Sequence, residues 1–169
     1  MHTIAYVGLG SNLGQREALV LRAARELEAR RAARVRRLSS LYLSDPVDIA
    51  DARRFVNAVA EVETLLPPVD LLERLKAIEA VMGRTSGHRQ SREIDLDLVS
   101  YGRELVTSER LVVPHPRFHL RAFVLIPLRE IAPGFTCPRT ERTVDQLLAA
   151  LPGDGGVERI SGRDFVGRG

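Results

Sequence analysis

Within Arg92-Glu93-Ile94-Asp95-Leu96-Asp97-Leu98-Val99, two carboxylates are separated by one apolar residue. Successive side chains of an extended chain point to opposite faces, so this spacing predicts Asp95 and Asp97 side by side, with Ile94, Leu96 and Leu98 turned into a core. Two like charges so placed repel unless a cation lies between them. Magnesium fits, because it binds through one or two carboxylates and completes its shell with water and substrate phosphates. Arg92, just ahead of the pair, adds a guanidinium able to grip a phosphate. An exposed strand with an acidic face is the plain alternative, and an isolated Asp-x-Asp does not decide between the two.

A second cluster runs from Arg110 to Phe123 and holds Arg110, Arg117 and Arg121 with His115 and His119. Pro114 and Pro116 fix the direction of His115 between them. A rigid imidazole among guanidinium groups suits a polyphosphate, where positive charge offsets the charge developing on a transferring phosphorus. A solvated basic loop would have the same composition. Asn57 stands in the middle of an apolar segment, where a buried amide must find partners or cost roughly 1–3 kcal/mol. Its donors and acceptor match the edge of a heterocycle, and Phe55 and Phe123 could stack on a flat ring. Glycines 8, 10 and 14 do not have Gly-x-Gly-x-x-Gly spacing and no Walker lysine follows, so neither nucleotide fingerprint applies. They predict a tight turn from strand to helix close to a bound substrate.

The elements that must hold these residues follow from periodicity. Thr3 to Leu9 reads as a buried strand, followed by a helix opened by Ser11 or Asn12 and running to about Arg31. Arg34 to Leu43 reads as a second strand. Phe55 to Thr64 alternates, with Val56, Ala58, Ala60 and Val62 on one face and Phe55, Asn57, Val59, Glu61 and Glu63 on the other. Pro67-Pro68 open a helix whose Leu72, Leu75, Ile78, Glu79 and Met82 repeat at 3.6 residues, with Gly83 as its stop. Residues 84–92 read as a loop, and Ile94 to Val99 as a strand. Further helices are expected near Val124–Ile131 and Val144–Leu151. Residues 152–169 read as a poorly ordered tail.

Strand, helix, strand, strand, helix, strand is the order of a ferredoxin-like α+β fold: an antiparallel sheet with helices on one face, here with C-terminal additions. The chain of 169 residues, 44% hydrophobic, suits a single domain over 1–169. Lys76 is the single lysine among 25 basic residues, so nearly all positive charge is arginine, which favours bidentate phosphate contacts. A lone Cys137 excludes an intrachain disulfide and fits a reducing cytosol. Neither an export signal nor a membrane span is evident, so a cytoplasmic protein is expected. Aromatic residues make up only 5%, and the acidic pair would repel a polyanion, which argues against an RNA-binding sheet.

In order and spacing, Gly10-Ser11-Asn12-Leu13-Gly14, the Tyr42–Val47 turn, Phe55-Val56-Asn57-Ala58, Glu79 to Arg84, Arg92-x-x-Asp95-x-Asp97, Pro114-His115-Pro116-Arg117 and Arg121-Ala122-Phe123 resemble the 6-hydroxymethyl-7,8-dihydropterin pyrophosphokinases. The resemblance runs from Ala5 to about Pro138. It implies transfer of pyrophosphate from ATP to the hydroxymethyl group of a reduced pterin in folate synthesis. It implies two magnesium ions on Asp95 and Asp97, with Arg92, Asp95, Asp97, His115 and Arg121 as the catalytic set. ATP would meet Lys76, Glu79, Arg84, Arg92, Leu98, Arg110, His115 and Arg121. The pterin would meet Ser44, Pro46, Val47, Asn57 and Asp95 and lie between Phe55 and Phe123. A monomer with no nucleic-acid or membrane partner is expected, and a pterin- or nucleotide-binding paralogue with an altered substrate or lost turnover is the alternative. The family commonly ends the loop before Arg92 in Gly-Pro-Arg, whereas here it reads Gly87-His88-Arg89-Gln90-Ser91-Arg92, and Val112 and Leu120 occupy positions that are frequently polar.

Overall fold

The computed structural model describes residues 1–46, 53–83 and 93–160. A central antiparallel sheet is built on β1 (Thr3–Ser11), whose neighbours are β4 (Phe55–Thr64) on one side and β5 (Asp95–Tyr101) on the other. The far edge of β4 pairs with β2 (Arg34–Leu38) and then β3 (Tyr42–Ser44). The single strand expected over Arg34–Leu43 is therefore broken. Ser39 accounts for the break: its hydroxyl accepts the Val59 amide, and the next amide, of Ser40, is diverted to the Glu130 carboxylate.

Strand parity sorts the side chains as the sequence predicts. Val56, Ala58, Ala60 and Val62 meet Ala5, Val7, Leu9, Leu96 and Leu98 in one core, closed by α1 (Arg16–Ala29) and α2 (Pro68–Val81). Leu71, Leu75 and Ile78 of α2 and Val20, Ala24 and Leu27 of α1 are fully buried there. Pro68 sits in the first turn of α2, where its missing N–H costs nothing.

The start of α1 differs from expectation. Ser11 is the last residue of β1, paired with Val56, and the helix begins only at Arg16, with Gln15 as an N-cap that makes no side-chain bond. Cross-strand pairing therefore outcompetes the local capping option at Ser11. Gly8 and Gly10 accordingly lie inside the strand rather than in a turn.

The opposite face of the sheet is covered only in part. There α3 (Ala122–Ile131) and α4 (Val144–Ala149) form a second core with Val59, Val99, Phe118 and the buried Cys137. Thr143 and Gln146 close a reciprocal capping box at the start of α4. A two-stranded hairpin of β6 (Val106–Thr107) and β7 (Val112–Val113) leads to a 3-10 turn, Phe118–Leu120, in front of α3. Residues 152–160 are not the loose tail that was expected: they carry β8 (Glu158–Arg159), which pairs with β3. The remainder of that stretch, 161–169, lies outside the described residues. No helix among the described residues is long and apolar enough to cross a membrane.

Candidate functional site

Beside the start of α3, a cleft of ≈ 720 Å³ opens over one face of β1, β4 and β5. Its floor follows from register. Gly10 pairs with Asn57 on one side and Asp95 on the other, and Gly8 lies opposite Asp97. Asp95 and Asp97 are half-buried and face the cleft, while Leu96 and Leu98 between and beyond them are buried in the core. The two carboxylates thus share a face, as their spacing predicts.

Gly8 and Gly10 bring the backbone itself to the floor. A Cβ on Gly10 would stand 3.1 Å from the Asn57 side-chain oxygen, so any larger residue would crowd that amide. Asn57 is 4% exposed and donates to the Ser44 hydroxyl at 2.7 Å, which orients the amide from the neighbouring strand β3. Phe55 follows on the same face of β4.

The roof comes from the segment after β7. The His115 amide donates to the Val99 carbonyl at 2.8 Å, so the end of β5 fixes the histidine backbone. Its Nδ1 accepts the Arg117 amide at 3.1 Å, which leaves Nε2 as the nitrogen available to a ligand. Burial pushes the imidazole below its ordinary pKa; the Asp97 charge opposes this, and Arg121 and Arg117 reinforce it. Arg121 precedes α3, with its guanidinium 3.7 Å from the Asp97 carboxylate and 5.6 Å from the centre of the Phe123 ring.

Of the residues singled out in the sequence, Ser44, Phe55, Asn57, Asp95, Asp97, His115, Arg121 and Phe123 line this one cleft. Pro46, half-buried just past β3, does not line it. Four expected nucleotide contacts are positioned elsewhere. Glu79 is 2% exposed and accepts the Leu96 amide at 2.8 Å, which ties α2 to β5. Lys76 pairs with Glu79 at 3.4 Å. The Leu98 side chain is core, and Arg110 forms an exposed ion pair with Glu73. Val47, Arg84 and Arg92, with the 85–91 loop, lie outside the described residues.

Asp45 and Leu120, which the sequence reading did not assign to the site, also form the cleft wall, together with Arg117 of the basic cluster and with Gly8 and Gly10, expected near substrate but in a turn. The signal for the glycines was available: alternate glycines along a strand leave one face without side chains. Asn12, the alternative to Ser11 as helix cap, is 1% exposed, and its side-chain amide has no hydrogen-bond partner among the described residues.

A protein-family model described as 7,8-dihydro-6-hydroxymethylpterin-pyrophosphokinase matches residues 6–133. The chain is 43% identical over 158 residues to the 2-amino-4-hydroxy-6-hydroxymethyldihydropteridine pyrophosphokinase of Pseudomonas aeruginosa, covering 93% of this chain and 96% of that one. The Bacillus subtilis protein of the same name is 42% identical over 147 residues, 86% of this chain and 88% of its own length. Among solved structures, wild-type Plasmodium falciparum HPPK-DHPS with pteroate superposes with a TM-score of 0.69 at 15% identity, over 88% of this chain. This chain spans 42% of that larger one, and the likeness at that identity is one of fold.

Proposed function

The chain belongs to the 7,8-dihydro-6-hydroxymethylpterin-pyrophosphokinase family, and from that premise we infer how its cleft divides the work. As a member it transfers the pyrophosphoryl group of ATP to the hydroxymethyl group of 6-hydroxymethyl-7,8-dihydropterin in folate synthesis. The pterin hydroxyl is the nucleophile: its oxygen bonds to the β-phosphorus, the bridge to the α-phosphate breaks, and AMP departs. No covalent enzyme intermediate is needed, so catalysis is positioning and charge neutralisation.

We assign the pterin to the Ser44, Phe55, Asn57 and Phe123 side of the cleft. The Asn57 amide, already turned by Ser44, reads the ring edge, and the two phenylalanines supply apolar faces. The triphosphate is assigned to the His115, Arg117 and Arg121 side. Arg92, Arg84, Lys76 and Arg110 are further candidates for the nucleotide, and Pro46 and Val47 for the pterin. Asp95 and Asp97 suit two magnesium ions. Two cleft-facing carboxylates, with no third His, Cys, Asp or Glu grouped with them among the described residues, match a cation that keeps water and phosphate ligands. Such ions, when bound, polarise the phosphoryl oxygens.

With β2 and β3 counted as one interrupted strand, the strand order is fourth, first, third, second, and we class the sheet as ferredoxin-like. We further propose a cytoplasmic monomer.

The observation that carries the reading is the shared face of Asp95 and Asp97, opposite an oriented Asn57. The test is AMP release from ATP with reduced hydroxymethyl pterin and magnesium. AMP should form only when both the pterin and the metal are present. Binding of both ligands without AMP would leave the fold standing and refute the activity.

A further inference from the structure

We propose that residues 154–160 form a strap that positions the pterin side of the cleft, with Arg54 and Gly156 as its positioning residues. The inference rests on the assignment of Ser44, Phe55 and Phe123 to the pterin. The strap lies antiparallel along the outer edge of β3. Leu43 pairs with Glu158 and Tyr42 with Arg159, the Ile160 amide donates to Leu41 at 2.9 Å, and the Asp45 amide donates to Gly155 at 3.4 Å.

Arg54 ties two separate pieces of chain together. Its Nε lies 3.0 Å from Asp45 Oδ1, its Nη2 donates to the Gly156 carbonyl at 2.6 Å, and its Nη1 lies 3.4 Å from Glu158 Oε2. In sequence Asp45 follows Ser44 directly and Arg54 precedes Phe55 directly. The strap therefore holds the immediate neighbours of two residues assigned to the pterin. On its other side it reaches the second wall: a Cβ on Gly155 would stand 3.8 Å from the Ala122 Cβ, and Ala122 lies between Arg121 and Phe123. The Ser44 and Phe55 wall is thus braced, and the Phe123 wall approached, by a segment that contributes no residue to the cleft lining.

The backbone is adapted to this fit. Gly155 and Gly156 adopt φ of +63° and +66°, the left-handed region that residues with a Cβ avoid. At Gly156 a Cβ would fall 2.2 Å from Asp45 Oδ2, so the carboxylate could not stay against Arg54. A side chain there displaces the Asp45 carboxylate at the rim of the cleft and the strap with it, while leaving Ser44, Phe55, Asn57 and Phe123 unaltered.

The test uses the full chain with Gly156→Val and, separately, Arg54→Gln. Both should raise KM for the reduced hydroxymethyl pterin, and its Kd by pterin fluorescence, by about tenfold, because small displacements of positioning groups are costly. KM for ATP should stay within about twofold. Arg54→Lys, which keeps a charge near Asp45, should recover part of the loss. A merely structural strap would lower the active fraction and hence kcat with both KM values unchanged, and that outcome, or ATP and pterin KM rising together, overturns the proposal. Phe55→Ala, measured alongside, separates the two readings. If it leaves pterin affinity intact, the pterin assignment falls and this inference with it. If it weakens the pterin while Gly156→Val does not, the strap alone falls.

Discussion

Replacing Asp97 by Asn keeps the shape of the side chain and removes one of the two charges on the cleft floor. The structural cost should be small. Asp97 pairs with Arg121 at 3.7 Å, with the two side chains 44% and 28% exposed. At that range two unit charges attract by about 1 kcal/mol in water, and exposed pairs retain roughly 0–1 kcal/mol after screening and side-chain entropy. Removal of the like charge beside Asp95 acts in the opposite direction. Unfolding free energy should therefore change by less than about 1 kcal/mol. The transition state is affected far more, since a group that organises charge at transferring phosphoryl oxygens contributes several kcal/mol, and each 1.36 kcal/mol is about tenfold in rate. Turnover should fall by roughly a thousandfold or more. The assay pairs AMP release at saturating ATP, pterin and magnesium with urea unfolding of the same preparation. Loss of more than about 2 kcal/mol of stability, or retention of more than about a tenth of turnover, would refute the reasoning.

Asn57→Leu should raise KM for the pterin by at least about tenfold with little effect on KM for ATP, because the oriented amide is lost and Ser44 loses its donor; steady-state kinetics with each substrate varied will check it. Gly10→Val should act in the same direction, as its side chain would crowd the Asn57 oxygen, and isothermal titration of pterin should register weaker binding. Glu130 accepts hydrogen bonds from the Ser40 amide and hydroxyl and from the Tyr42 hydroxyl. Burial raises its pKa, but those bonds and the Arg159 charge outweigh burial and bring it below its ordinary value of 4.5. Its contribution is therefore full above pH 4.5 and is lost as pH falls through the lower folded-state value. Glu130→Gln should cost about 1 kcal/mol at neutral pH, with a difference from wild type that shrinks in acid, as measured by urea unfolding across pH.

Period-two patterning made the floor of the site legible, because it is a property of the strand alone: Asp95 and Asp97 on β5, and Asn57 and Phe55 on β4, emerged on the face expected. Helical periodicity also placed Glu79 with Leu75, Ile78 and Met82, and burial followed that pattern. What the chain does not encode locally was missed. Ser11 has the chemistry of a cap, yet pairing with Val56 keeps it in the strand. The break at Ser39 depends on Val59 and on Glu130, distant in sequence. The Gly-rich composition after Pro152 reads as disorder, and only the edge of β3 with Arg54 gives that backbone its partners.

Helix α3 does two things at once: Val124, Leu125 and Leu128 seal the second core, while Phe123 and the adjoining Arg121 face the cleft. Its attachment to the sheet is therefore also the attachment of the reaction centre. Warming that loosens this layer withdraws the cleft wall in the same step, so heat inactivation and melting of that layer should coincide, with no interval in which the fold persists and the chemistry has stopped.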